Sequence, residues 1–489
     1  MMQDWLTQRA MRSPERIALI FGNESWTFRE LDARVMETAR QLGALGIEKN
    51  ERVAVLMRNC DLYVALVHAL ARVGAVLVPI NTRLTANEIE WQIENVGAQW
   101  LVHDDVNAER AGEVARGVVG LRVISSKREF SLRSSETFHR NASTVFDLDA
   151  PHAILFTSGT TGKPKGAVLT YGNHWWNAIG SALNLGLHED DVWLACLPLF
   201  HIGGLAILLR GVIYGNAVVL HEAFDTDAVN RALDEQRVTI VSLVSTMLAR
   251  VLDARGEKPF PPTLRSVLLG GGPAPKELLE RCAKLNVPVM QTYGLTEAAS
   301  QVATLAPQDA LRKLGSPGKP LMGVELRIEG EGGNVGEIVI RGATVMREYA
   351  EDSEASAHAF RDGWFHTGDL GYMDEDGFLY VVSRRDDLIV SGGENVYPAE
   401  IEAVLNAHLA IQEAVVVGVA DARWGQIPIA YVVLRAGQNA SAEELKMYCG
   451  EKLARFKIPA QIFFVESLPR NVGGKLLRRA LGGESGVNE

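Results

Sequence analysis

The chain has 489 residues, 47% of them hydrophobic and 22% charged, with a formal net charge of −11. That is the composition of an ordinary globular protein with room for more than one domain. The acidic balance argues against nucleic acid or an anionic membrane as the main partner, and it requires cations to be placed locally for any anionic substrate.

The N-terminus, Met1-Met2-Gln3-Asp4-Trp5, lacks a basic region followed by an apolar core, so no secretory signal is expected. The greasiest stretches, Tyr63–Ile80 and Gly203–Leu220, are interrupted by Arg72 and Arg210, and neither reads as a membrane span. Cys60, Cys196, Cys282 and Cys449 are scattered, without C-x-x-C or metal-type His spacing. They read as incidental thiols of a reducing compartment. The expectation is a cytoplasmic protein without stable membrane insertion, with self-association into a homo-oligomer left open.

In chain order, Thr27-Phe28-Arg29-Glu30 is a capping-box pattern ahead of an amphipathic helix through Leu31, Val35, Ala39 and Leu42, ended near Gly43 and Gly46. Residues 103–150 are more polar and carry no usable motif. Ala153–Phe156 reads as a buried strand, followed by the loop Thr157-Ser158-Gly159-Thr160-Thr161-Gly162-Lys163-Pro164-Lys165-Gly166 and a helix with Trp176, Ile179 and Leu183 on one face. Strands are expected at Val192–Leu197, Ala217–Leu220, Val238–Val244, Ser266–Leu269 and Val287–Gln291, mostly separated by helical segments. This is the pattern of a largely parallel sheet with helices on both faces.

Beyond Ala306 the texture changes to short strands, Glu325–Ile328, Glu337–Arg341 and Phe378–Val382, joined by Gly-rich turns such as Asp374-Glu375-Asp376-Gly377. After the charged run Ser383–Asp387 comes a compact α/β unit. Pro398 opens one helix, Ser441-Ala442-Glu443-Glu444 caps another, and Glu413–Val419 and Ile429–Leu434 read as strands. The fold class is α/β. A large N-terminal domain of parallel-type sheets with a β-rich subdomain (1–385) precedes a small C-terminal α/β domain (386–489).

The loop 157–166 can offer backbone N–H groups, hydroxyls and ammonium charge to a polyphosphate, or be a plain surface turn. Gly159 and Gly162 are too close for a Walker A loop. Gln291-Thr292-Tyr293-Gly294-Leu295-Thr296-Glu297 ends a strand, where open α/β sheets bind ligands. A carboxylate beside a triphosphate needs a cation between them, so Glu297 is either a Mg²⁺ ligand or a helix-terminus carboxylate. Asp369 in Thr367-Gly368-Asp369-Leu370 suits ribose hydroxyls, and Arg384 offers a further donor. Gly270-Gly271-Gly272 leaves backbone against which a flat ring could lie, or makes a tight turn.

These motifs, with Ser391–Pro398 and Pro469–Lys475, resemble in order and spacing the adenylate-forming superfamily that includes the acyl-CoA synthetases, over nearly the whole chain. The resemblance implies an acid–thiol ligase that uses ATP, Mg²⁺ and CoA. It implies ATP contacts at Thr157, Ser158, Gly159, Thr160, Thr161, Lys165, Gly270, Gly271, Gly272, Tyr293, Thr296, Asp369 and Arg384, with metal at Thr157 and Glu297. Lys475, a surface lysine if read alone, corresponds to the family's mobile catalytic lysine. His201 and Glu297 join it as catalytic residues. A hinge falls on Asp386, and Ser391, Gly392, Gly393 and Glu394 face CoA. The acyl site is implied at His201, Gly271 and Gly294.

Arg210 adds a chemical hint. Inside so apolar a run it either snorkels to the surface or awaits an anion, and an unpaired buried charge would cost several kcal/mol. A dicarboxylic acid supplies that anion, one carboxylate activated and the other held by the guanidinium. Segments 171–174, 181–186, 268–275 and 313–316 look most like a family member that acts on an aromatic dicarboxylate. The alternatives are a medium-chain or aryl acid–CoA ligase on the same scaffold, a kinase-like phosphotransferase, and a non-catalytic nucleotide-binding module.

Overall fold

A computed structural model describes residues 1–130, 145–157, 164–272, 274–330, 335–384, 388–469 and 481. The chain divides into two compact units. One comprises Met1–Thr82, Gln92–Phe156 and Gly166–Val382; the other comprises Arg83–Trp91, Thr157–Lys165 and Ser383–Glu489. The expected domain boundary at Arg385 and Asp386 lies outside the described residues.

Two sheets dominate the first unit. One runs in the order Glu348–Tyr349, Lys165–Thr170, Pro151–Thr157, Val76–Pro79, Arg52–Leu56, Trp100–His103, Arg122–Ser125. The other has a parallel centre, Val289–Leu295, Ser266–Gly270, Ile240–Val244, Val192–Ala195, Ala217–Leu220 and Ile17–Phe21, flanked by antiparallel edge strands. The central strands are apolar on both sides, as burial between helical layers demands. Val53, Val55, Leu77, Ala153, Leu155 and Trp193 share one core with the helix Asp61–Val73. Val241, Leu243, Val267 and Leu269 face a second core under Thr226–Glu235 and Ser245–Arg255. An antiparallel sheet built on Val324–Glu329, Gly336–Gly342 and Trp364–Met373 forms the β-rich part.

Local signals act as read from the sequence. Thr27 and Glu30 form a reciprocal capping box for Phe28–Ala44, and Ser441 and Glu444 do so for Ala442–Gly450. Pro398 stands at the first turn of Pro398–Asn406. In the polar stretch 103–150 the structure adds the helix Ala108–Gly117 and the edge strand Arg122–Ser125. Arg72 is fully buried, its Nε 2.7 Å from Asp4 Oδ2 and its Nη2 on Asp32. Among the described residues no helix is long and apolar enough to cross a membrane.

The helix Tyr171–Leu185 is turned the opposite way from ordinary amphipathic practice. Trp176 and Leu183 lie on its outer side, 47% and 61% exposed, while Asn173, His174, Asn177 and Ser181 are buried. The buried polar side serves as a bracket for the loops beneath it. Asn173 Nδ2 donates to the Ala343 and Val345 carbonyls, and Asn177 Nδ2 to those of Ala298 and Gln301.

Candidate active site

The strand Val289–Leu295 and its antiparallel partner Ser300–Thr304 are joined by the short turn Thr296–Ala298, which carries Glu297. The turn is tight enough to hold Ala299 at φ 54° and Ser300 at φ 123°, conformations that non-glycine residues rarely adopt. Gly294 sits at the register shift of this hairpin, and a Cβ there would collide with the Ser300 carbonyl. Its glycine identity therefore has a packing cause independent of any acyl group.

Glu297 is half-buried, and its carboxylate oxygen Oε1 accepts from Tyr349 Oη at 3.0 Å. Its carbonyl accepts from Met346 N at 2.7 Å. Four residues before Glu297, on the strand, Tyr293 Oη donates to Asp369 Oδ2 at 2.6 Å, with both residues buried. Asp369 is set by its own neighbours. Asp369 N donates to Thr367 Oγ1, which in turn donates to the Ile338 carbonyl at 2.6 Å. Gly368 N donates to Glu337 Oε1, whose carboxyl burial pushes toward protonation while His366, Gly368 and Arg361 together hold it below the usual range. The sequence-predicted pair Tyr293 and Asp369 is thus brought into direct contact.

Gly270 closes the strand Ser266–Gly270, and Gly271 and Gly272 follow it exposed at φ 80° and 156°. A Cβ on Gly271 would press on Val244, so this backbone stays bare. His201 is half-exposed as the N-cap residue of Ile202–Tyr214, edge-on to Phe200 with ring centroids 4.7 Å apart. Gly204, one turn on, admits no side chain, because a Cβ would strike the Pro198 carbonyl.

Arg210, on the same helix, does not snorkel; it is 3% exposed. Its Nη2 donates to Asn177 Oδ1 at 2.6 Å, its Cζ lies 5.6 Å from the Trp193 ring centroid, and its Nε has no hydrogen-bond partner among the described residues. Burial pushes the guanidinium pKa down, against a smaller upward pull from Tyr214. Through Asn177 the guanidinium is linked to the carbonyls of Ala298 and Gln301, next to Glu297.

In the second unit, Thr157 Oγ1 donates weakly to the Lys165 carbonyl at 3.4 Å across the mouth of the phosphate-loop candidate. Ser158, Gly159, Thr160 and Thr161 lie outside the described residues, as do Asp386 and Lys475. Arg384 ends the strand Leu379–Arg384, and only its backbone is described. Ile389–Ser391 and Glu394–Val396 form a hairpin through Gly392 and Gly393 at φ 58° and 84°, the two-residue turn that demands positive φ twice. A Cβ on Gly392 would press on the Trp424 ring. Glu394 is buried, with Oε1 3.0 Å from Arg83 Nη1.

Two contributors were not singled out from the sequence. Tyr349 hides in the unremarkable run Met346–Glu351, 52 residues from its partner Glu297. Asn177 could have been found as the polar residue four positions after Asn173, on the same face of the helix.

The model of AMP-binding enzymes matches residues 6–350, and that of the AMP-binding enzyme C-terminal domain matches residues 400–475. A 2-succinylbenzoate–CoA ligase of Geobacillus sp. is 50% identical over 483 residues, covering 98% of this chain and 96% of the relative. One from Bacillus cereus is 46% identical over 491 residues, covering 98% of each. Among solved structures, a double mutant of o-succinylbenzoate CoA synthetase from Bacillus subtilis with a product analogue matches at TM-score 0.92 and 44% identity, covering 98% of both chains. The same enzyme with its acyl-adenylate intermediate matches at TM-score 0.76, and with ATP and magnesium ion at 0.74.

Proposed function

Because the chain belongs to the AMP-binding enzyme family, we propose that its reaction is the one for which its full-length relatives are named, the ATP-dependent ligation of 2-succinylbenzoate to CoA in menaquinone biosynthesis. The observation that carries this reading is identity of 50% sustained over 98% of the chain.

The chemistry follows from the weakness of a carboxylate as an acyl donor. The succinyl carboxylate attacks the α-phosphorus of ATP, pyrophosphate leaves, and an acyl–AMP anhydride forms. The CoA thiolate then attacks the acyl carbonyl and AMP departs. Two anions must meet in the first half, so positive charge has to be fixed in place beforehand. Thr157 and Glu297 offer a hydroxyl and a carboxylate, the hard oxygen set that Mg²⁺ takes together with substrate phosphates. When bound, Mg²⁺ neutralises phosphate charge.

The chain's own residues do the rest in this reading. Asp369, held by Tyr293, accepts from the ribose hydroxyls, and adenine lies against Gly270–Gly272. The loop from Thr157 to Lys165 cradles phosphates. Lys475 completes the positive field for adenylation, and rotation of residues 386–489 about Asp386 withdraws it so that Ser391–Glu394 meet CoA. His201 and Arg210 read the acid, with Gly271 and Gly294 lining its path. The enzyme acts in the cytoplasm.

AMP release measured with 2-succinylbenzoate, benzoate and hexanoate, each with CoA and Mg-ATP, tests the substrate. Turnover confined to the first acid supports the proposal, and equal turnover of hexanoate overturns it.

A further inference from the structure

The segment Met346–Ala350 touches two parts of the proposed adenylation site through its backbone, the Glu297 turn and the strand that follows the loop 157–165. Met346 N donates to the Glu297 carbonyl at 2.7 Å, Arg347 N to the Val168 carbonyl at 3.0 Å, and Ala350 N to the Gly166 carbonyl at 2.7 Å. Glu348 and Tyr349 thereby form an edge strand on the strand that leaves the phosphate loop, with Ala167 opposite Tyr349. One short segment is hydrogen-bonded both to the exit of that loop and to the turn that carries Glu297.

The side chain of Tyr349 completes the link. It is 9% exposed, its backbone N accepts no freedom because it donates to Ser356 Oγ at 3.0 Å, and its hydroxyl donates to Glu297 Oε1 at 3.0 Å. A half-buried carboxylate on a strained turn has several rotamers, and only some aim an oxygen at a nucleotide-borne cation. A fixed phenol that occupies one position on Oε1 selects among them. Outer partners of this kind orient ligating carboxylates and sustain metal affinity.

We propose that Tyr349 is a positioning residue for Glu297, holding its carboxylate in the orientation that receives the divalent cation of the metal–ATP complex. The proposal rests on the reading of Glu297 as a metal ligand given above. It makes no claim on the second half-reaction, in which thioester forms from preformed acyl-adenylate.

The test uses the full chain as Tyr349→Phe, which keeps the ring and removes the hydroxyl. Mn²⁺ binding in the presence of a non-hydrolysable ATP analogue is titrated by EPR, beside the rate of thioester formation from supplied acyl-adenylate. The expected result is Mn²⁺ affinity lowered by roughly 10- to 100-fold, with thioester formation unchanged. Wild-type Mn²⁺ affinity in Tyr349→Phe, together with weakened affinity in Glu297→Gln, overturns the positioning role alone. Wild-type affinity in Glu297→Gln overturns the ligand assignment, and the positioning role with it. Equal loss of metal binding and thioester formation in Tyr349→Phe points to general damage and also overturns the proposal.

Discussion

Tyr293 and Asp369 lie 76 residues apart in sequence and are joined by a buried hydrogen bond, Oη to Oδ2 at 2.6 Å. The bond ties the carboxylate proposed for the ribose, on the strand Trp364–Met373, to the strand that leads to Glu297. A hydrogen bond to a charged group contributes roughly 1.5–3 kcal/mol. Tyr293→Phe should therefore lower kcat/KM for ATP by about tenfold or more while the KM for the acid stays nearly constant. Steady-state kinetics varying each substrate in turn checks this, and an unchanged KM for ATP would remove the pair from the nucleotide site.

Lys475→Ala should suppress formation of the acyl-adenylate and largely spare thioester formation from adenylate supplied in the assay. The two half-reactions are measured separately, the first by pyrophosphate release and the second by thioester absorbance. Equal loss of both would contradict the assignment of this lysine to the first half alone.

Arg210 is buried with an unpartnered Nε and a single amide on Nη2. A charge in that setting is poised for an anion, and the second carboxylate of the acid supplies one. Arg210→Leu should raise the KM for 2-succinylbenzoate by at least tenfold and that for ATP far less. Should the ATP constant rise instead, the role of Arg210 would be to brace the Glu297 turn through Asn177.

Acid stability should be governed by three buried histidines of the first unit. Burial first, then the Arg72 charge, drives His68 down to about 3. Burial and then His68 do the same for His152, to about 3. His174 is pushed well below its ordinary value by burial, then by His152 and Arg210. Each folded-state value lies below that of the unfolded chain, so the unfolded state binds more protons as pH falls below about 6.5. The stability these neutral rings contribute is complete above pH 6.5 and is lost as pH falls, toward pH 3 for His68 and His152, at about 1.4 kcal/mol per pH unit for each of those two rings, and in the same direction for His174. Tm measured from pH 7 to pH 4 should fall steeply, and His68→Gln should reduce the slope by roughly a third. An unaltered slope would contradict the account.

Much of the scaffold was legible because its signals are local. The apolar run Ala153–Phe156 lies within the strand Pro151–Thr157, and Thr27, Pro398 and Ser441 start helices where their side chains and ring predict. Strand ends were less legible. Val287 was expected to open a strand that begins at Val289, after Pro288, which has no N–H for the ladder. The same strand continues through polar Thr292 and Tyr293 to Leu295, past any apolar pattern, because the hairpin partner Ser300–Thr304 takes up its hydrogen bonds.

The Tyr171–Leu185 helix shows the limit of periodicity. Trp176, Ile179 and Leu183 do share a face, yet Trp176 and Leu183 point outward, since the inner side is needed for Asn173 and Asn177 to satisfy loop carbonyls. Periodicity locates a face without saying which way it points. Motif order made Glu297, Tyr293 and Asp369 legible as candidate site residues, and the structure joins Tyr293 to Asp369 by a hydrogen bond. Tyr349 was not, because its meaning depends on a partner 52 residues away and no spacing rule links the two.

In the proposed reaction a carboxylate and ATP meet to form an acyl-adenylate. Protein mixed with Mg²⁺, ATP and 2-succinylbenzoate in the absence of CoA should release pyrophosphate in a burst of about one equivalent per active site, with acyl–AMP retained on the protein. Release of ADP, or of no pyrophosphate at all, would contradict it.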